Sequence, residues 1–295
     1  MKILNFGSCN IDIVCSVDHI VRPGETISAS GIEYFVGGKG LNQSVALANA
    51  GAEVYHAGCI GTDGDILRSF MENAGVNLEY LRITEGKSGQ ATIQVDKNGE
   101  NAIFLYAGAN HEITENYVDS VLSDFSHGDF LVLQNEINNV EYIVEKAYDR
   151  GMKIIFNPAP FNDVAAKISL SKLYCIIPNE TECSGYVGSE NYKAFAGFIR
   201  EKYPDLKAVI TLGKDGCAYI DKDNEIIQPA YSVNAVDTTA AGDTFVGYFV
   251  AEMSRGKDPR DAIRTACAAS AITVSRKGAA PSIPEYDEVI AFLNK

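Results

Sequence analysis

The chain alternates short apolar runs with longer segments in which apolar residues recur at helical spacing. The short runs, which predict buried β-strands, span residues 3–7, 54–59, 130–133, 153–156, 174–177 and 208–211. The helical segments span residues 41–52, 65–74, 140–150, 192–202, 242–254, 259–275 and 284–293. This order predicts a three-layer α/β fold, a doubly wound and mostly parallel sheet with helices on both faces. Such folds bind ligands beyond the carboxyl ends of their strands.

A second, smaller sheet is predicted by alternating segments that do not fit this order. Residues 90–95 and 102–106 flank Asn98-Gly99, a dipeptide that favours a two-residue β-hairpin loop. Residues 11–17 and 28–35 are also extended in character. We expect these segments to form a β-sheet lid of about residues 12–35 and 88–107, although an antiparallel edge of the main sheet is the alternative. The chain shows no repeat or linker, so we expect one domain over residues 1–295.

Composition limits the partners and the compartment. The net charge of −14 disfavours nonspecific binding to nucleic acid or to anionic membranes, so we expect neither partner. No apolar run approaches the ~20 residues of a membrane-spanning helix. The seven cysteines are an odd number without a CxxC pair, which is typical of reduced thiols in a cytoplasmic protein. The four histidines lie far apart and show no metal-ligand spacing.

The segment Val236-Asp-Thr-Thr-Ala-Ala-Gly-Asp-Thr-Phe245 carries the strongest chemical signal. A helix N-terminus offers unpaired N–H groups and the positive end of a dipole, and Ala240, Ala241 and Gly242 leave room for an anion to approach them. Asp243 is then placed to take a proton from a hydroxyl that attacks a phosphoryl group held by those donors. The alternative is that Asp243 only complements the helix dipole.

Two polar segments near the N-terminus predict a site for a small polar ligand. Gly37-Gly-Lys-Gly-Leu-Asn-Gln43 runs into a helix but fails the Walker A pattern, because its lysine is followed by glycine. We interpret it as a close backbone approach to a ligand, with Lys39 and Asn42 donating hydrogen bonds; a plain glycine turn with a solvated lysine is the alternative. Asn10 and Asp12 follow the first strand, where an amide and a carboxylate suit the vicinal hydroxyls of a sugar, or form a turn.

Two later strands also end in polar residues. Asn179-Glu-Thr-Glu182 predicts either an outer-shell site for hydrated Mg²⁺ or the start of a helix with acids in its first turn. Thr211-Leu-Gly-Lys-Asp-Gly216 predicts either backbone N–H groups that reach a nucleotide phosphate or a simple β-turn.

These segments resemble the motifs of the PfkB carbohydrate kinase family. The matching motifs occur in family order across nearly the whole chain and are Gly7-Ser-Cys-Asn-Ile-Asp12, Gly37-Gly-Lys-Gly-Leu-Asn-Gln43, Gly108-Ala-Asn110, Asn157-Pro-Ala-Pro160, Pro178-Asn-Glu-Thr-Glu182, Thr211-Leu-Gly213, Asp237-Thr-Thr-Ala-Ala-Gly-Asp-Thr-Phe245, Arg276-Lys-Gly278 and Pro281-Ser282. The resemblance implies ATP-dependent transfer of a phosphoryl group to a sugar hydroxyl, at C5 if the sugar is ribose. Fructose, another pentose or a nucleoside as substrate, and a non-catalytic sugar sensor, remain alternatives.

The resemblance also implies a role for each matching residue. Asp243 would be the catalytic base, with the N–H groups of Ala240, Ala241, Gly242 and Asp243 as the anion hole. The sugar would be bound by Asn10, Asp12, Gly38, Lys39, Asn42, Glu136 and Asp243. The nucleotide would be bound by Asn179, Thr211, Gly213, Gly216, Gly242 and Cys267. Mg²⁺ would be held through water by Asn179 and Glu182. A monovalent cation, K⁺, would be held by Asp237, Thr239, Thr273, Arg276, Gly278 and Ser282.

The lid also predicts an assembly. A small sheet alone is marginal in water and its edges invite pairing. The lid carries apolar residues such as Ile93, Val95, Ile103 and Leu105. The resembling enzymes pack two lids together, so we expect a homodimer through this sheet.

Overall fold

The computed structural model describes residues 1–294, and this part of the chain holds 13 β-strands and ten α-helices. The strands are β1 (Ile3–Phe6), β2 (Asn10–Ser16), β3 (Gly31–Gly37), β4 (Val54–Ile60), β5 (Leu81–Ile83), β6 (Gly89–Val95), β7 (Asn101–Tyr106), β8 (Phe130–Leu133), β9 (Lys153–Phe156), β10 (Cys175–Ile176), β11 (Lys207–Thr211), β12 (Cys217–Ile220) and β13 (Glu225–Gln228). The helices are α1 (Lys39–Asn49), α2 (Asp65–Asn73), α3 (Glu115–Leu122), α4 (Val140–Asp149), α5 (Asp163–Lys167), α6 (Glu180–Val187), α7 (Tyr192–Lys202), α8 (Ala241–Ser254), α9 (Pro259–Val274) and α10 (Tyr286–Leu293).

The main sheet has the strand order β13-β12-β11-β10-β9-β8-β1-β4-β5. Its strands are parallel from β5 to β11, and β12 and β13 add an antiparallel edge. From β1 the chain first builds outward through β4 and β5, then returns to the other side of β1 with β8. The strand order therefore reverses between β1 and β8, the position at which an open α/β sheet leaves a crevice for a ligand.

Two apolar layers lie on opposite faces of the main sheet because side chains alternate along each strand. Ile3 packs into a layer with α1, α8 and α9, whereas Leu4 and Phe6 pack into a layer with α3, α4 and α7. Buried parallel strands read as continuous apolar runs for the same reason. The predicted three-layer, doubly wound and mostly parallel α/β fold is confirmed.

The small sheet is separate from the main sheet and has the order β3-β2-β6-β7. The alternative of an antiparallel edge of the main sheet is therefore wrong for these segments; that edge is the hairpin of β12 and β13. The hairpin loop also differs from the prediction. Gly99 has a φ of 81° but Asn98 does not have a positive φ, so a type I′ turn does not form. Instead Asp96 pairs with Glu100 across a three-residue loop, in which Gly99 N donates to the Asp96 carbonyl (3.0 Å).

Candidate active site

The crevice between β1 and β8 is lined by polar side chains that follow these strands. Ser8 Oγ donates to Glu136 Oε2 (2.6 Å), and the N–H of Lys39 donates to the same oxygen (3.0 Å). Asn10 Oδ1 accepts from Asn110 Nδ2 (2.7 Å), whose side chain also accepts from the N–H of Cys9. The ends of the two strands and the start of α1 are thus joined at one place.

Two helices begin at this crevice with an N-cap residue that has a positive φ and no capping side chain of its own: Gly38 for α1 (φ 91°) and Ala240 for α8 (φ 59°). The first N–H groups of α1 are taken up by Glu136 and Ser8. At the start of α8 the N–H groups of Gly242 and Asp243 have no acceptor within residues 1–294 and are available to a ligand. Gly38 is needed because a Cβ there would lie 3.0–3.2 Å from the backbone of Ser8, Cys9 and Asn10, in addition to the cost of positive φ.

Close packing of α1 and α8 sets the distance between their first turns. A Cβ on Gly247 would overlap the Ala46 side chain and lie 2.9 Å from the backbone of Ala46 and Leu47. Ala46 lies one turn after Asn42, and Gly247 lies one turn after Asp243. The glycine therefore lets the two helices approach closely enough for Asn42 and Asp243 to touch.

Asp243 lies in the first turn of α8 and is 7% exposed. Its two carboxylate oxygens accept hydrogen bonds from neighbouring amides of α1. Asn42 Nδ2 donates to Oδ2 (2.9 Å), and Gln43 Nε2 donates to Oδ1 (2.9 Å). The carboxylate is thereby held toward the first turn of α1, one residue after Gly242.

Lys39 is partly buried and lies within the influence of several carboxylates, which differs from the freely solvated lysine of the plain-turn alternative. Asp243 contributes most to raising the pKa of Lys39 above its usual value; burial opposes this shift, and Glu136 and Glu182 add to it. The ammonium is therefore firmly charged and offsets several negative groups in one place.

Asp12 lies on β2, beside Phe35 of β3 and Ala91 of β6 in the register of the small sheet. A Cβ on Gly37 would overlap the Asp12 carboxylate, so this glycine leaves the space that the carboxylate occupies. Burial, with a further contribution from Glu136, raises the pKa of Asp12 from 3.8 to about 7. Asp12 is partly buried, and its carboxyl oxygens can accept hydrogen bonds from the hydroxyls of a small polar ligand.

A cavity of about 770 Å³ lies next to Asp243, on the other side of the α8 N-terminus. It is lined by all six residues that the family resemblance assigned to the nucleotide, namely Asn179, Thr211, Gly213, Gly216, Gly242 and Cys267. Val233, Phe245 and Ala271 add an apolar wall. Gly213 and Gly216 both have positive φ, and a Cβ on Gly216 would overlap the Gln228 carbonyl. The β11–β12 loop is therefore more than a simple β-turn, because it forms part of the cavity wall.

Asn179 and Glu182 form a capping box at the start of α6, as the helix-start alternative predicted. Glu182 N donates to Asn179 Oδ1 (2.8 Å), and Asn179 N donates to Glu182 Oε2 (2.9 Å). Burial raises the pKa of Glu182; the Asn179 N–H and the charge of Lys39 oppose the shift, and the charge of Asp243 adds to it. Both oxygens of this carboxylate accept hydrogen bonds from Asn179, which lines the cavity together with Glu180 and Thr181.

The two loops assigned to a monovalent cation meet at Asp237. Its Oδ1 accepts from Thr239 N (2.9 Å) and its Oδ2 from Gly278 N (3.0 Å). Burial opposes the shift, but the donors of Thr239 and Gly278 and the charge of Lys277 lower the pKa of Asp237. The other members do not contact Asp237 through their side chains: Arg276 pairs with Glu288, Thr273 Oγ1 donates to Thr244 Oγ1, and Ser282 Oγ donates to the Ala279 carbonyl.

Several polar residues of the crevice had no role in the sequence prediction. These are Ser8, Gln43, Asn110, Gln134 and Asn157. Each directly follows a strand or lies within a glycine-rich or family motif, which is a usable signal. What the sequence does not contain is which of them contact one another.

Within residues 1–294 no helix is long and apolar enough to cross a membrane. The same residues contain no group of three His, Cys, Asp or Glu side chains that could hold a metal ion. The fold and the crevice define an α/β protein with a polar site at a switch point of its main sheet, next to a cavity at a helix N-terminus.

Comparison with known proteins gives the family. The model of the pfkB family of carbohydrate kinases matches residues 1–286. The ribokinase of Haemophilus influenzae is 36% identical over 97% of this chain and 96% of its own. The crystal structure of ribokinase from Thermotoga maritima has a TM-score of 0.90 at 35% identity and covers 100% of this chain and 99% of that one. The structure of Arabidopsis thaliana ribokinase complexed with ribose and ATP has a TM-score of 0.88 at 26% identity, over 100% and 98%.

The chain therefore belongs to the pfkB family of carbohydrate kinases. The resemblance noted in its motifs is confirmed, as is the prediction that it is a carbohydrate kinase.

Proposed function

We propose that this chain is an ATP-dependent ribose kinase that phosphorylates the C5 hydroxyl of D-ribose, with Asp243 as the general base. The observation that carries the proposal is the position of Asp243. Its buried carboxylate faces Asn42 on the sugar side, while the adjacent Gly242 lines the nucleotide cavity. The relatives named ribokinase support the choice of sugar, since they match over nearly their whole lengths.

The reaction follows from this placement. Asp12, Asn10 and Lys39 bind the sugar hydroxyls, and Asp243 accepts the proton of the C5 hydroxyl. The hydroxyl oxygen forms a bond to the γ-phosphorus while the bond to the leaving ADP oxygen breaks. The unpaired N–H groups at the start of α8 face the negative charge on the transferred group. The proton then passes from Asp243 to solvent.

Two ions complete the proposal. Mg²⁺ when bound would neutralise nucleotide phosphates, and Asn179 and Glu182 would hold it through water from the start of α6, where Asn179 lines the cavity. K⁺ would lie between the loops that Asp237 and Gly278 join. The alternative is that Arg276 or Lys277 fills this space with its own charge; Arg276 pairs instead with Glu288 (2.7 Å), whereas the charge of Lys277 acts on Asp237. The cation would fix the geometry of the loop before α8 without touching substrate.

We further propose a homodimer through the small sheet. Its edge strand β7 exposes four consecutive apolar residues, Ile103 to Tyr106, on both faces, and the other edge strand exposes Ile32 and Tyr34. An unpaired edge with this composition is unstable in water and is a ready site for a second copy. A monomer by light scattering at micromolar concentration, or an interface that avoids residues 88–107, contradicts the dimer.

An ADP-release assay over a panel of sugars and nucleosides tests the function. D-ribose is expected to have the highest kcat/KM, and Asp243→Asn should lower kcat by roughly 10²–10⁴ while sugar binding is largely kept. Asp221→Asn is the matched control, because Asp221 caps a turn at the far edge of the sheet and should leave the rate unchanged. A higher kcat/KM for 2-deoxyribose or a nucleoside rejects ribose. Sugar binding without ADP release rejects the kinase.

A further inference from the structure

Gln43 contacts the reacting carboxylate but has no polar atom left for a substrate. It is fully buried on α1, next to Asn42. Its Nε2 donates to Asp243 Oδ1 (2.9 Å) and to Asn157 Oδ1 (3.2 Å), and its Oε1 accepts from Gln134 Nε2 (2.7 Å). Asn42 differs, since its Oδ1 is buried without a partner within residues 1–294 and can accept from a sugar hydroxyl.

The neighbours of Gln43 allow its amide only one orientation. Asn157 Nδ2 donates to the Ile177 carbonyl (2.8 Å), so the Asn157 oxygen must face Gln43. Gln134 Nε2 donates to Asn5 Oδ1 (2.9 Å) as well as to Gln43, so the Gln134 amide also presents its hydrogens. If the Gln43 amide were flipped, its NH₂ group would face the NH₂ group of Gln134, and its oxygen would face the Asp243 carboxylate. The network therefore directs an N–H at Asp243 Oδ1.

We infer that Gln43 is a positioning residue that fixes the rotation of the Asp243 carboxylate through the amide chain from Gln134. The inference rests on the proposed role of Asp243 as the base. Gln43 holds Oδ1 by a charge-assisted hydrogen bond, so the carboxylate cannot turn about its Cβ–Cγ bond. The remaining lone pairs of the carboxylate, including those of Oδ2, therefore stay directed at the sugar hydroxyl. Asn42 cannot do this alone, because a single donor leaves the carboxylate free to rotate.

The first test compares Gln43→Met, which keeps the volume but has no donor, with wild type. Misplacement of a reacting group by about 1 Å costs roughly 10²-fold in rate, so we expect kcat to fall by about 10- to 100-fold. The Kd of the sugar, measured by calorimetry, should change by less than about threefold. Loss of a donor to the ionised form raises a carboxylate pKa, so the acid limb of kcat against pH should move to higher pH. Gln43→Glu should move it further, because a second carboxylate then faces Asp243.

Two controls separate positioning from general destabilisation. Ser44→Ala is the matched variant: Ser44 is the next residue of α1 and equally buried, but it bonds to His56 and Asn5 rather than to Asp243. Asn5 keeps its orientation in this variant, because its Nδ2 also donates to the Gly40 carbonyl (2.7 Å). It should lower the melting temperature and leave kcat and the pH profile unchanged. In an Asp243→Asn background, Gln43→Met should have no further effect on the residual rate, because its partner is already lost.

The outcomes are distinguishable. If the wild type is active and Asp243→Asn is inactive, but Gln43→Met equals the wild type in kcat and pH profile, the inference is overturned and the proposed function stands. Equal losses in Gln43→Met and Ser44→Ala also overturn it. A wild type without kinase activity overturns the inference together with the proposed function.

Discussion

Replacing Asp12 with asparagine should stabilise the protein, and the gain should depend on pH. The pKa of Asp12 is raised by burial and by Glu136 from 3.8 to about 7. A carboxyl whose pKa is higher in the folded state is protonated more readily there than in the unfolded chain. Ionising it in the folded protein therefore costs free energy that is absent at low pH and fully present above about pH 7.

The magnitude follows from the shift. The difference of about 3 units, at 1.36 kcal/mol per unit, corresponds to about 4 kcal/mol at alkaline pH. At about pH 5 the unfolded chain is already largely ionised and roughly 1–2 kcal/mol of that cost is present, so the cost should grow by about 2–3 kcal/mol between about pH 5 and about pH 8. Asp12→Asn removes the ionisation and should gain this increment.

Urea unfolding of wild type and Asp12→Asn at the two pH values measures it. At each pH the free energy of unfolding of the wild type is subtracted from that of Asp12→Asn, and the two results are then compared. The contributions of other titrating groups cancel in this comparison. A stability gain of the same size at both pH values would refute the reasoning. So would a gain that is larger at the acidic pH.

Four other outcomes are expected. Above about pH 7, where Asp12 is ionised, Asp12→Ala should weaken the binding free energy of the sugar by roughly 2–4 kcal/mol, because two hydrogen bonds to a charged acceptor are lost. An equal loss for ATP would indicate misfolding instead. Gly247→Ala should separate α1 from α8 and lower kcat by roughly 10²-fold, and an unchanged rate would mean that this packing does not set the position of the base. Potassium should raise the rate over sodium at fixed ionic strength, and Asp237→Ala should abolish the difference; equal rates in both salts reject the site. Leu105→Glu should convert the dimer to a monomer by light scattering, and an unchanged mass places the interface elsewhere.

The fold was predictable from sequence because the apolar residues of its strands and helices follow simple, regular spacings. Buried parallel strands such as β8 and β9 are continuous apolar runs, and their predicted bounds agree with the structure. The bounds of α1 were less accurate: the helix begins at Lys39, not at residue 41, because Gly38 lets the chain turn directly into it. The prediction of a two-residue hairpin loop was wrong, because the Asp96 side chain accepts hydrogen bonds from the Asn98 and Glu100 N–H groups and stabilises a longer loop.

The site was predictable in its residue types and not in its contacts. Asp243 and Asn42 are 201 positions apart, and only the packing at Gly247 brings them together. The influence on Lys39 of acids from three separate parts of the chain is likewise a property of the fold. The Asn179 segment was left open between two interpretations; the capping box settles its local structure, and its proposed role toward Mg²⁺ stays a prediction.

The acids around Lys39 have a consequence for turnover. Under the proposed reaction the sugar arrives neutral and departs as a phosphate monoester with nearly two negative charges. Within residues 1–294 the charges of Glu136, Glu182 and Asp243 act on the Lys39 ammonium, and the charge of Glu136 also acts on Asp12. Repulsion among like charges at this place opposes the product and not the substrate. Transfer of the phosphoryl group thus makes the sugar a poorer ligand for the pocket that bound it, which favours product release and limits inhibition by accumulated sugar phosphate.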